Sequence, residues 1–384
     1  MSRLKLHWQC VVAIVLLAVA AGFSELTTLA LEAAANPTAT IQMPFETTGG
    51  LIFALLFFGA LLSFLRFSPP AEALVLLVAS LGAAWLLISG ISGFEGTALA
   101  PFYLLLASAW LLAWRAVSVL STLPPGARAL DAALRPLIPT LFGLWILLIW
   151  EAIVRGAGIP FILLPPPSAV AARLASSAPT LWADVNQTIF KSVLAGYAIG
   201  CGAGFLAAIV ADRFDFLRRG LLPIGNMVSA LPIIGVAPVM VMWFGFDWPS
   251  KAAVVVIMTF FPMLVNTVAG LASAGHIERD LMRTYASGYW QTLAKLRLPA
   301  AMPFIFNALK INSTLALIGA IVAEFFGTPV VGMGFRISTE VGRMNVDMVW
   351  AEIAVAAVCG SVFYGVIALI ERAVTFWHPS VRGA

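Results

Sequence analysis

Residues 252–274 read AAVVVIMTFFPMLVNTVAGLASA, a run without a single Asp, Glu, Lys or Arg. At 1.5 Å per residue a helix of this length reaches roughly 35 Å, enough to cross the hydrocarbon core of a bilayer. The same signature recurs along the 384-residue chain, which is 61% hydrophobic and 10% charged, with mean hydropathy +0.99. A soluble domain is nearer half apolar and a quarter charged, so most of this chain is expected in lipid. Apolar stretches lie at roughly 9–31, 49–66, 71–92, 98–119, 137–154, 186–211, 221–245, 252–274, 302–326 and 348–372. Backbone polar groups in hydrocarbon must pair within their own segment, so each stretch is read as a helix. The alternating strands of an outer-membrane barrel are absent from the pattern. The expected fold is an all-α polytopic membrane protein of about ten spans.

Basic residues orient the chain. With the N-terminus in the cytoplasm, 16 of the 22 Lys and Arg fall inside, five fall outside, and Lys191 lies just within a span. That asymmetry is the one expected of a correctly phased inner-membrane topology, with both termini cytoplasmic. The net charge of +4 then reflects orientation and contact with the bilayer. No basic stripe with interleaved aromatics suggests nucleic acid. Cys10, Cys201 and Cys359, and His7, His276 and His378, are scattered, so neither a metal site nor a disulfide framework is expected. The basic start, the apolar run Val11–Ala21 and the small residues after it fit a cleaved signal peptide. Because apolar periodicity continues to Leu31, a retained first helix is the preferred reading.

The chain divides near residue 125. Residues 1–130 form a four-helix block whose linker, Leu123–Pro136, carries Pro124, Pro125, Gly126, Arg128 and Arg135. Residues 131–384 form a six-helix block in which glycine, proline and polar residues enter the spans. The run Ala195–Gly204 is dense in small residues, which lets helices approach closely, either within one subunit or at a seam between two. The proline-rich segment Ile159–Ser168 is not helical throughout and precedes a short amphipathic helix over about 169–176. It is either an ordinary outer loop or a contact for a partner that delivers solute. Pro232 and Pro238 interrupt the 221–245 span, and such breaks either kink a helix or line a translocation path.

The loop 274–303 is the longest connection in the second block. Its segment Asp280–Pro299 fits two short helices with a turn near Ala286–Gly288, the second ended by Pro299. The first offers Leu281, Met282 and Tyr285, the second Trp290, Leu293 and Leu296. Apolar side chains outside the bilayer in such number call for a protein groove to cover them.

This segment resembles the coupling loop of binding-protein-dependent ABC importer permeases, whose pattern is Glu-Ala-Ala, three residues, Gly, nine residues, Ile, any residue, Leu-Pro. Aligned on Leu298-Pro299, the Glu position is Asp280, the Ala positions are Leu281 and Met282, the Gly position is Ala286 and the Ile position is Leu296. The head of the motif thus departs at every early position, and Gly288 is expected to supply the flexible turn two residues late. Further stretches are similar to the branch importing nitrate, sulfonates, taurine and vitamin precursors: Leu164–Val170, Trp243-Phe244-Gly245 with Ser250-Lys251, Phe261-Pro262 with Asn266-Thr267, Ala323-Glu324 and Gly332-Met333-Gly334. The matching stretches span about 160–335, hydropathy carries the likeness to the C-terminus, and the first four helices lie outside it. It implies a cytoplasmic ABC ATPase dimer, a second permease subunit forming a homodimer, and an extracytoplasmic solute-binding protein. ATP and Mg would belong to the ATPase, with no cofactor, metal or catalytic residue in this chain. None of the five lysines follows a glycine, so no phosphate-cradling Gly-Lys-Ser/Thr loop is present.

Charged and polar groups within the spans carry functional expectations. Glu324 stands near the outer end of its helix, as an outer gate or paired with Arg336 or Arg343. Lys191, Lys310, Glu352 and Glu371 lie near helix ends, where lysines snorkel. Pro232, Pro238, Asn266, Asn312 and Glu324 are the expected path or gate residues. Without a ring of arginines, the expected cargo is a neutral or weakly charged organic solute. Two rivals remain. A secondary transporter driven by an ion gradient would show inverted repeats and relay residues, and neither is seen. A non-transporting scaffold or intramembrane enzyme would need a catalytic cluster, which is also missing.

Overall fold

The computed structural model describes residues 7–22, 25–28, 42–44, 49–65, 68–93, 95–122, 128–228, 232–327 and 330–377. It is helical almost throughout and forms two compact units, residues 1–169 and 170–384.

The first unit contains α1 (Trp8–Ala20), a strand pair β1 (Glu25–Thr28) and β2 (Gln42–Pro44), α2 (Gly50–Leu62), α3 (Pro69–Ile91), α4 (Ala100–Ser121) and α5 (Arg128–Ala157). α3 and α4 each begin on a proline in the first turn, where the missing N–H would have no helical partner anyway. Leu17, Leu56, Leu76, Leu87, Leu105 and Leu112 meet in its core, and Arg115 joins α4 to α3 through Glu72 at 2.8 Å. The end of α5 is held by the turn between α3 and α4: Gly96 N–H donates to the Arg155 carbonyl at 2.8 Å, and Arg155 reaches Glu95 at 3.2 Å.

Two expectations change here. The first helix stops at Ala20 instead of continuing to Leu31. Residues 25–28 pair antiparallel with 42–44, Glu25 opposite Pro44 and Thr28 opposite Gln42. The consecutive Thr27 and Thr28 favour that extended state. The linker is also shorter than read, because α5 is already helical at Arg128 and carries Pro136 and Pro139 inside it. Residues 29–31 and Leu123–Gly126 lie outside the described residues.

The second unit begins within α6 (Pro167–Ser176) and continues through α7 (Ala178–Arg213), α8 (Asp215–Val228), α9 (Ile233–Phe244), α10 (Trp248–Ala272), α11 (His276–Thr284), α12 (Tyr289–Glu324), α13 (Met333–Gly342) and α14 (Val346–Val374). Its centre is the packing of α7, α10 and α12. A Cβ on Gly200 of α7 would stand 2.1 Å from Thr259 Oγ1 of α10, so the small-residue run is used for contact inside this unit. Asn312 of α12, fully buried, donates from Nδ2 to the Thr259 carbonyl at 2.8 Å and to Cys201 Sγ of α7 at 3.2 Å. Lys310 pairs with Glu371 at 2.8 Å, so neither charge is left to the lipid.

Seven helices among the described residues are long and apolar enough to cross a membrane: α3, α4, 136–157 of α5, α7, α10, α12 and α14. Three shorter apolar helices, α1, α2 and α9, stand where the other stretches were read. The single interrupted span expected over 221–245 is two helices, α8 and α9. Pro232 is the residue before α9, whereas Pro238 stays inside it. Pro238 has no N–H to give the Ile234 carbonyl, so the helix continues with one bond missing.

Candidate functional site

Helix α11 ends at Thr284 in a tight reversal. Ala286 N–H donates to the Arg283 carbonyl at 2.9 Å and Ser287 N–H to the Met282 carbonyl at 3.0 Å. Those two bonds, from the first and second residues past the cap, form a Schellman closure, which needs a left-handed residue between them. That residue is Ala286, at φ 51°, in a conformation that disfavours any Cβ by about 1–2 kcal/mol. Ala286 therefore stands at the position of the glycine in the resembling motif, in a conformation that favours glycine. The expectation that Gly288 supplies the turn is corrected: its φ is −70° and ψ 167°, ordinary extended backbone, and it caps the next helix.

Pro299 does not end that helix. α12 runs without interruption from Tyr289 to Glu324, and the five residues Leu293–Arg297 form a widened π turn. A proline ring clashes with the carbonyl four residues back. For Pro299 that carbonyl belongs to Lys295, inside the widened turn, where the altered hydrogen bonding makes room. The hairpin of α11 and the start of α12 leaves Leu281, Tyr285 and Trp290 56%, 76% and 68% exposed, together with Ile277, which the sequence reading overlooked. Leu293 is the exception among the expected docking residues. It is buried with Leu271, Ala301 and Ile305, so it holds the hairpin to its own unit. Asp280 is exposed and makes a 3.4 Å contact with Arg283, Met282 is half-buried, and Leu298 packs beside the Leu293 cluster.

The anchor of this hairpin also escaped sequence reading. Asp212, at the end of α7, accepts both terminal nitrogens of Arg297 and the Tyr289 hydroxyl at 2.9 Å. Arg297 Nε donates to the Leu271 carbonyl at 3.0 Å, and Arg213 lies over the Tyr289 ring at 5.1 Å from its centroid. A fork-to-fork Arg–carboxylate pair fixes direction as well as distance. The ends of α7, α10 and α12 are thereby locked together beneath an exposed apolar rim.

At the opposite end of α12, Glu324 is buried and pairs with neither Arg336 nor Arg343, contrary to expectation. Arg336 is taken by Asp184 at 2.9 Å and Arg343 by Glu340 at 3.1 Å. The Asp184 hydrogen bond holds the Arg336 guanidinium above its ordinary pKa. Glu324 instead accepts from Thr188 Oγ1 at 2.8 Å and from the Gly334 N–H at 2.8 Å. The Met333 N–H donates to Thr188 Oγ1 at 2.9 Å, and the Gly332 N–H to Asp184 Oδ1 at 2.6 Å. Three consecutive N–H groups at the start of α13, which no helical carbonyl can serve, thus each end on a buried side chain. The Gly-Met-Gly stretch is explained by crowding. Gly332 has φ 138°, and a Cβ on Gly334 would stand 2.1 Å from the Ile321 carbonyl. Lys251, also buried, donates to the Phe246 carbonyl at 2.6 Å.

The expected path residues do not form one cluster. Asn312 is engaged in helix packing, Asn266 donates to the Pro262 carbonyl of its own helix at 2.8 Å, and Glu324 belongs to the cap of α13. Pro232 precedes α9 and Pro238 lies within it, and Ile233 and Val236 of that helix line an apolar cleft with Val254, Ile257, Met258 and Leu315. Among the described residues no group of His, Cys, Asp and Glu is arranged to hold a metal ion.

The family described as binding-protein-dependent transport system inner membrane component matches residues 200–376, which include the hairpin, its anchor and, of the cap of α13, Glu324 and Gly332–Gly334, while Asp184 and Thr188 lie before the matched residues. The riboflavin transport system permease protein RibX of Chloroflexus aurantiacus is 31% identical over 240 residues, 61% of this chain and 88% of the relative. The formylaminopyrimidine transport permease protein ThiX of Halalkalibacterium halodurans is 30% identical, covering 62% of this chain and 95% of the relative. The taurine transport system permease protein TauC of Escherichia coli is 25% identical, covering 62% and 88%. Spans and relatives agree: the chain belongs to the binding-protein-dependent transport system inner membrane components, as a multi-pass inner-membrane permease of the ABC importer branch whose members are named for aliphatic sulfonates, taurine, bicarbonate, formylaminopyrimidine and riboflavin.

Proposed function

We propose that this chain moves a small organic solute into the cytoplasm by alternating access, with the α11–α12 hairpin as the surface on which a cytoplasmic ABC ATPase docks. The observation that carries the reading is the apolar rim of Ile277, Leu281, Tyr285 and Trp290, left exposed on a base fixed by Asp212 and Arg297. Such a rim is unfavourable in water and favourable in a protein groove. ATP and Mg would sit on the ATPase dimer, which would do the hydrolysis, and an extracytoplasmic binding protein would deliver the solute to a homodimer of permeases. Both termini would be cytoplasmic, and residues 131–384 would form the transport domain, with 1–130 as a membrane extension. A neutral or weakly charged solute fits the apolar cleft beside Pro232, and relatives at 30–31% identity are named for riboflavin and for formylaminopyrimidine.

The reading is tested by the double variant Leu281→Asp, Trp290→Asp, carried by the complete transporter. Both side chains are exposed, so the purified chain should keep its thermal unfolding temperature. Co-purification with the ATPase should fall at least about tenfold, the loss expected when two apolar anchors leave an interface core. An undiminished complex with undiminished uptake would remove the hairpin from the docking role.

A further inference from the structure

We propose that the elbow joining α7 to α8 binds the phosphate headgroup of an anionic phospholipid. α7 is of membrane-crossing length and ends at Arg213, so the elbow falls where hydrocarbon gives way to water. Phe214 and Phe216 follow at once, 56% and 86% exposed. α8 then turns Leu217, Leu221 and Leu222 onto Ala208, Ala211, Leu264 and Val268. That packing fixes the rotation of α8 and leaves Arg218 and Arg219 on its outer side, both exposed.

Neither guanidinium has an ion pair or a side-chain hydrogen bond among the described residues. Both line a shallow cleft with Leu222 and Pro223, and Asp215 on the same rim offsets one of the two charges. Arg213 is not part of this cleft, since it is spent on the Tyr289 ring. Two guanidiniums beside an apolar floor match a phosphodiester and the glycerol and acyl carbons behind it. An acidic protein surface would satisfy the arginines equally well. It would not account for Phe216, which stands almost bare at the level where aromatic rings settle into the membrane boundary.

The experiment is native mass spectrometry of the full-length chain, purified in mild detergent and incubated with phosphatidylglycerol or phosphatidylcholine of matched acyl chains. The wild type should retain phosphatidylglycerol in preference, by about fivefold per arginine if each contributes the usual surface attraction to anionic lipid. Arg218→Gln with Arg219→Gln should bring the two lipids level at an unchanged unfolding temperature, whereas Arg218→Lys with Arg219→Lys should keep part of the preference. Equal retention of both lipids by the wild type would overturn the proposal. So would a double Gln variant that keeps its lipid preference, and one that also loses the ATPase would assign the arginines to a protein contact.

Discussion

The two ends of α12 solve opposite problems. At the Tyr289 end, polar groups are paired below the surface and apolar side chains are left bare. At the Glu324 end, Phe325 and Val330 are also exposed, but three consecutive backbone N–H groups each receive a dedicated buried side-chain acceptor. An exposed apolar rim is unfavourable in water. A set of buried polar groups that is already satisfied resists change, because opening it would leave donors without partners in a low-dielectric interior. The first end offers the apolar surface on which the proposed ATPase would dock, and the second is organised around polar groups already paired within the chain.

The sharpest way to break the self-contained end is Gly334→Ala. The added Cβ meets backbone, not a movable side chain, so overpacking of roughly 3 kcal/mol is expected. It should appear as a lower unfolding temperature of the purified chain even without any partner. Asp212→Asn attacks the base of the other end. It removes the charge that holds Arg297 and Tyr289, for about 2 kcal/mol. The telling readout is transport-coupled ATP hydrolysis, which should fall further than stability does if the anchor serves the hairpin. A variant that loses both in proportion would erase the distinction between the ends. The smallest change is Ala286→Gly, which relieves a left-handed alanine worth on the order of 1 kcal/mol. Amide exchange at Ser287 and Gly288 should slow, with no effect at Gly332–Gly334.

Much of this contrast was legible in residue order. Hydropathy located the spans because partition into lipid depends on composition over about 20 residues. The hairpin was found from Leu298-Pro299 and from apolar residues placed where lipid could not cover them. What composition could not show was geometry that depends on a partner far along the chain. Pro299 looks like a helix terminator until the widened turn at Leu293–Arg297 is seen to make room for it. Asp212 is an ordinary acidic residue at a helix end until Arg297 is found across from it, 85 positions later. Glu324 invited pairing with Arg336 because both are charged and near in sequence, yet Asp184 is better placed for that arginine. Leu293 was read by its neighbours in the hairpin, although its position on the helix turns it inward. The one positional reading that tightened was Ala286. A left-handed alanine shows that the reversal is imposed by the two flanking hydrogen bonds and not granted by a permissive residue.

The unbroken course of α12 has a mechanical consequence. Its 36 residues make a continuous helix roughly 54 Å long, from Trp290 in the apolar rim to Glu324 beneath the capped amides. Tilting such a helix by about 5° around its middle displaces each tip by roughly 2 Å in opposite directions. That displacement is comparable to the length of the hydrogen bonds at the Glu324 tip. The widened turn and the two prolines just after it, Pro299 and Pro303, lie one to three turns from the rim, so they would set how much of a push at the bare end is absorbed before the far end feels it.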